Sequence, residues 1–168
     1  MEAVRSLYLL RHAKSSWDDK GLDDRARPLS PRGDASARDM AAYLGGEAVA
    51  PALVLCSTAL RARQTLEALS LQGEVGHEDD LYGASAADLL ARLRRVPDEI
   101  GSVMVVGHNP GLHELAVSCS GKGDPLQLAR LRGKLPTGAL VRLSFLGPWA
   151  SLAPGHATLE SLVVPGDL

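Results

Sequence analysis

Hydrophobic positions in this chain follow two rhythms, and the switches between them lay out the elements. Residues 4–10 read as a strand whose apolar run, Leu7-Tyr8-Leu9-Leu10, is rich in strand formers and stops at Arg11-His12-Ala13-Lys14. Residues 53–56 and 103–106 are similar runs. The first leads through Ser57-Thr58-Ala59-Leu60 to Arg61, and the second closes at Gly107-His108-Asn109-Pro110-Gly111. Residues 74–77 fit a further short strand. Over residues 139–145 the period is two, with Leu140, Arg142 and Ser144 alternating with Val141, Leu143 and Phe145, and residues 156–164 read as a last strand.

Between these runs the spacing becomes three and four. Ala37, Met40, Ala41 and Leu44 recur behind Ser30-Pro31, a serine cap with proline at the first helical position, and Gly45-Gly46 stops them. Ala62, Thr65, Leu66 and Leu69 mark a second helix. Leu89, Leu90 and Leu93 mark a third, begun by a capping-box pair, Ser85 and Asp88. Asn109 and Pro110 read as cap and first residue of a fourth, whose apolar face is Leu112, Leu115, Ala116 and Cys119. Residues 14–29 are charged and aperiodic, hence a loop, and residues 121–136 are mixed, with a short helix around 126–131. Strands alternating with helices predict a largely parallel sheet covered on both faces. The final two strands should add an antiparallel hairpin at one edge, all within a single domain spanning 1–168.

Composition narrows the function only a little. With 45% hydrophobic and 23% charged residues, the 168-residue chain reads as an ordinary soluble globular protein, and a net charge of −2 calls for neither nucleic acid nor a membrane as partner. No apolar run approaches the ~20 residues of a membrane span, and the run before Arg11 is too short for a signal-peptide core. Cys56 and Cys119 read as buried small hydrophobes in a reducing cytoplasm. No Cys/His spacing suits a structural zinc, so the expectation is no metal and no cofactor. The basic residues are mostly arginine, which suits bidentate oxyanion contacts. Lys122, Arg130, Arg132 and Lys134, opposed only by Asp124, read either as a solvated helix with its flanks or as a patch that steers an acidic partner. The sequence leaves the oligomeric state open.

The candidate chemistry lies where the strands end. Ligands of open α/β sheets bind beyond the carboxyl ends of the strands, and Arg11, His12, Arg61 and His108 all follow such ends. Each alone could be an ordinary turn residue; together, in three strand-to-helix turns, they describe a site. Two guanidiniums match phosphate oxygens. One histidine can attack phosphorus from Nε2 if its other nitrogen is held as a donor. The second can donate to an oxygen that gains charge in the transition state, and the helix beginning near Pro110 adds backbone N–H groups. Phosphoryl transfer requires mainly positioning and charge neutralisation, which these groups supply without a metal.

Leu10-Arg11-His12, Ser57 with Arg61, Gln64 and Thr65, and Gly107-His108 resemble the histidine phosphatase superfamily. A finer pattern resembles its SixA-type phosphohistidine phosphatases. It comprises residues 11–17 (Arg-His-Ala-Lys-Ser-Ser-Trp), Arg27-Pro28-Leu29, Arg32-Gly33, residues 59–65, Leu81-Tyr82, residues 106–111, Pro136-Thr137-Gly138 and Trp149. The resemblance implies an α/β fold in the form of a three-layer αβα sandwich. It also implies a phosphatase in which His12 becomes a covalent phosphohistidine that water hydrolyses. Arg11, Arg61 and His108 would form the phosphate pocket, with Arg27 binding substrate and Asp24 close by; Trp17 and Lys14 match the family's first loop. The implied substrate is a phosphorylated protein, a phosphohistidine domain. The alternatives are a small phosphate ester or, without turnover, a phosphate-binding module. Larger members of the superfamily carry an acidic proton donor on an insertion for which this chain is too compact. Asp18, Asp19, Asp79 and Asp80 are available, but none matches a donor motif. His113 stands where an acidic residue is expected, and its spacing from His108 predicts a solvated helix face.

Overall fold

Leu7 and Leu9 point to one face of a strand and Tyr8 and Leu10 to the other, so a sheet built on them must be covered on both sides. The computed structural model, which describes residues 2–168, shows that cover. In chain order the elements are β1 (Val4–Arg11), α1 (Pro31–Gly46), β2 (Leu53–Ser57), α2 (Leu60–Leu69), β3 (Glu74–Glu78), α3 (Ala86–Leu93), β4 (Ser102–Gly107), α4 (Gly111–Cys119), β5 (Ser120–Gly123), α5 (Pro125–Gly133), β6 (Leu140–Leu146) and β7 (Ala157–Val163). The seven strands form one sheet in the order β3-β2-β4-β1-β6-β7-β5, with β1 at its centre. Pairings β3–β2, β2–β4, β4–β1 and β7–β5 are parallel, whereas β1–β6 and β6–β7 are antiparallel.

The two cores follow from the strand alternation. Tyr8, Leu10, Val54, Cys56, Met104 and Val106 pack against Met40 and Leu44 of α1 and Leu66 and Leu69 of α2. Leu7, Leu9, Leu55, Val103, Val105 and Val141 pack on the opposite face against Leu93 of α3, Leu112 and Leu115 of α4 and Leu131 of α5. These are the three layers expected. Trp149 is fully buried in the second core, its indole N–H donating to the Ile100 carbonyl at 2.7 Å. No helix among the described residues is long and apolar enough to cross a membrane.

Three local expectations are corrected. The β6–β7 pair is antiparallel but does not form the edge, because β5 lies outside β7. Ser-Gly-Lys-Gly has no strand pattern. It pairs because the chain leaving α4 is laid along β7, and Gly121 permits the approach, since a β-carbon there would stand 2.0 Å from the Gly155 carbonyl oxygen. Helix α4 starts one residue later than read, with Pro110 at the cap and Gly111 as the first helical residue. The Asn109 amide is drawn away instead, donating to the Leu135 carbonyl at 2.8 Å. Finally, His113 is not solvated: it is half-buried, and its Nε2 lies 2.6 Å from the Leu131 carbonyl, tying α4 to α5.

Candidate active site

Because β1 and β4 are adjacent and parallel, the residues that follow them emerge side by side. Arg11 pairs with Gly107, and the His12 amide donates to the Gly107 carbonyl. The His12 and His108 rings lie with centroids 5.1 Å apart. β2, on the other side of β4, ends at Ser57, whose hydroxyl is 2.7 Å from His108 Nε2. One turn into α2, Arg61 is buried against the same place. The residues of all three strand ends are thus brought together.

The motif spacing in α2 acquires reasons. Thr65 Oγ1 accepts the Ala13 amide at 3.0 Å and donates to the Arg61 carbonyl, fixing the chain just past His12. Gln64 accepts the Leu29 amide at 2.8 Å. The start of α1 is docked as well, since the Ser30 amide donates to the Lys14 carbonyl at 2.9 Å. Gly33 is needed there, because a β-carbon would stand 1.9 Å from that same carbonyl oxygen.

His12 is 6% exposed, and its Nδ1 lies 2.7 Å from the Ala13 carbonyl. A carbonyl can only accept, so Nδ1 carries the proton and Nε2 keeps its lone pair. Burial pushes the His12 pKa down to about 3; the Ala13 hydrogen bond opposes this, and His108, Arg61 and Arg11 add to it. Burial likewise takes His108 down to about 4, helped by Arg61 and Arg11 and opposed by Asp24. Both rings are therefore neutral near pH 7, beside two guanidiniums. Burial, and then Arg61, lower the pKa of Arg11, whose Nη1 donates to the Leu135 carbonyl at 3.1 Å.

Asp24 is the hub of the site. Its carboxylate accepts from Arg61 Nη2 at 3.0 Å, from Arg27 Nε at 3.0 Å and from the Tyr82 hydroxyl, while its carbonyl accepts from Arg61 Nη1 at 2.7 Å. The Tyr82 hydrogen bond, followed by those from Arg27 and Arg61, holds its pKa well below the usual carboxylate range. The Tyr82 ring also meets His108 edge-on at 5.5 Å. Arg27, expected to bind substrate, lies in the wall of the site with its Nε and Nη1 donors turned to the loop. Besides Asp24, they reach the Ser15 hydroxyl at 2.7 Å and the Ser16 carbonyl at 3.2 Å. A cleft of about 370 Å³ opens over Arg11, His12, Arg61 and His108, walled also by Arg27, Lys14, Trp17 and Thr137.

The roles of Asp24, Tyr82 and Ser57 were not readable from spacing. Asp24 and Tyr82 are 58 residues apart and meet only because the end of β3 brings residues 79–82 beside the loop. Arg63, two residues beyond Arg61, is exposed and donates to the Thr58 carbonyl. Arg130 is paired with Asp167 near the C-terminus at 2.9 Å, so the basic segment is opposed by more than Asp124. Among the described residues, no three His, Cys, Asp or Glu side chains gather as metal ligands.

The neutral histidines carry a testable cost. In the unfolded chain both would take up a proton as the pH falls through 6.5, whereas in the fold they do so only near 3 and 4. The unfolded state then binds more protons, so stability falls with pH between about 6.5 and 4, by up to about 1.4 kcal/mol per pH unit for each ring. Asp24, whose pKa is depressed, loses its contribution only further into acid. Denaturant titrations should show this slope in the wild type and lose most of it in His12→Gln/His108→Gln.

Residues 7–84 match the histidine phosphatase superfamily (branch 1). The chain is 38% identical over 159 residues to an uncharacterized protein of Mycobacterium tuberculosis, covering 93% of this chain and 99% of that one. It is 33% identical over 135 residues to the phosphohistidine phosphatase SixA of Escherichia coli, covering 71% of this chain and 78% of that protein. The structure described as a phosphohistidine phosphatase SixA of Nakamurella multipartitia superposes with a TM-score of 0.87 at 33% identity, over 97% of each chain. With the strand-end residues assembled as that pattern requires, the chain belongs to the histidine phosphatase superfamily.

Proposed function

We propose that the protein hydrolyses protein phosphohistidine through a covalent phosphohistidine on His12. The observation that carries this reading is the Nδ1 contact to the Ala13 carbonyl, which leaves a neutral Nε2 lone pair beside two arginines. Nε2 attacks phosphorus, and the bond from phosphorus to the leaving nitrogen breaks. The other ring nitrogen of the substrate imidazole, with an ordinary pKa near 6.5, takes up a proton before the bond breaks, so the ring leaves as neutral imidazole. Water then attacks phospho-His12, releasing inorganic phosphate and restoring the ring. Arg11 and Arg61 neutralise the phosphoryl oxygens, and His108, whose buried Nδ1 has no hydrogen-bond partner among the described residues, donates to one of them. Asp24 remains ionised at working pH, so its role is to hold Arg61 rather than to give a proton.

Support for the substrate comes from the SixA relative, whose name specifies phosphohistidine. The phosphate-binding groups themselves suit an oxygen ester equally well. Phosphate release from a phosphohistidine protein should exceed that from an aryl phosphate; the reverse order would favour a small-molecule phosphomonoesterase, and no release from either a binding module. The charge on the phosphoryl group is met by guanidiniums, so prolonged chelation with EDTA should leave the rate unchanged; loss restored by Mg²⁺ or Zn²⁺ would contradict this. We also propose a reducing cytoplasm as the compartment, the setting in which small buried cysteines such as Cys56 and Cys119 stay as thiols.

A further inference from the structure

Trp17 and Trp149 are the two tryptophans of the chain, and they are used in opposite ways. Trp149 is fully buried, whereas Trp17 is 69% exposed at the wall of the cleft that holds His12. Such exposure forgoes most of what burying an indole contributes. The ring is nevertheless fixed. The Arg27 guanidinium lies 3.5 Å from its centre, covering one face. Arg27 is itself 7% exposed and held by Asp24, Ser15 and Ser16. The indole is therefore a braced platform with its remaining surface open.

The direction of phosphoryl transfer says what could use it. Attacking and leaving atoms lie roughly in line across phosphorus. With His12 buried at the floor, the leaving group departs toward the open side, where Trp17 stands. We propose, resting on the reading of His12 as nucleophile, that Trp17 stacks on a planar ring bonded to the phosphoryl group. It thereby selects ring-bearing substrates, the imidazole of phosphohistidine among them, over ring-less phosphates. An aromatic pair is worth about a two- to tenfold preference.

Binding tests this independently of turnover. Phenylphosphonate should bind the wild type two- to tenfold more tightly than methylphosphonate and should perturb the emission of the exposed indole. Trp17→Ala should erase the preference by weakening phenylphosphonate alone, and Trp17→Phe should keep most of it. In assays, Trp17→Ala should lower kcat/KM for free phosphohistidine by the same factor and leave acetyl phosphate, which has no ring, nearly unchanged. Equal weakening of both phosphonates would overturn the proposal in favour of loop support, and an undiminished preference in Trp17→Ala would remove the ring from recognition. Failure of the nucleophile reading shows separately, as acetyl phosphate hydrolysis that survives His12→Ala.

Discussion

Turnover in His12→Ala falls by on the order of 10⁴–10⁶, the scale for losing a covalent nucleophile, while the chain stays folded. The side chain sits where β1 ends, its backbone is held independently by the Gly107 carbonyl, and Thr65 fixes the next residue. Removing the ring takes away neither a strand pairing nor a helix contact. Wild-type enzyme quenched during turnover should carry phosphate that is labile in acid and stable in alkali, as a nitrogen-bound phosphoryl group is, and His12→Ala should carry none. Full activity in that variant would move the nucleophile elsewhere. A folded, inactive variant with no trapped phosphate in the wild type would leave His12 essential but rule out an accumulating covalent step.

Arg61→Ala and His108→Ala should each cost roughly 10²–10³ in rate, or about 2.7–4 kcal/mol, as for one preorganised donor to developing negative charge. Arg61 has an additional structural dependence. Two of its nitrogens are committed to Asp24, and Asp24 is held in turn by Tyr82 and Arg27. Its loss would leave Asp24 with fewer partners beside the cleft, so KM for a phosphorylated substrate should rise together with the fall in kcat. Arg63→Ala is the matched control. Two residues further along the same helix it faces solvent, where its hydrogen bond to Thr58 is exposed, and its loss should cost less than about threefold, within the small effect usual for surface changes. Steady-state kinetics of the three variants on one substrate decides the matter. A larger loss at Arg63 would contradict the assignment of Arg61 to the pocket.

The central sheet was legible because its strands are apolar at consecutive positions, which only a sheet covered on both faces can bury. The helices were legible from caps such as Ser30 and Ser85, whose side chains accept the amides of Gly33 and Asp88. The four groups of the site were legible because each follows a strand end, and parallel strands align their carboxyl ends at one edge. β5 was not legible, since four residues of Ser, Gly and Lys carry no local strand preference and pair only because β7 is beside them. His113 reads as solvated from the sequence, which shows period but not the Leu131 carbonyl that meets its ring, and the same sequence does not show the Asp167 carboxylate that pairs with the exposed Arg130.

Sequence alone determined which residues could do phosphate chemistry and that they would stand at one edge of the sheet. Those properties are set by local hydrophobic pattern and by strand direction, both of which are written in consecutive residues. Tertiary structure decided how each group is tuned. The proton of His12 is placed on Nδ1 by a carbonyl, both imidazoles are kept neutral by burial beside arginines, and the Nε and Nη1 donors of Arg27 are committed to Asp24 and Ser15 at the wall of the cleft. Hydrogen-bond direction and desolvation depend on neighbours distant in sequence, such as Tyr82 on Asp24 and Ser57 on His108, and no spacing rule encodes them.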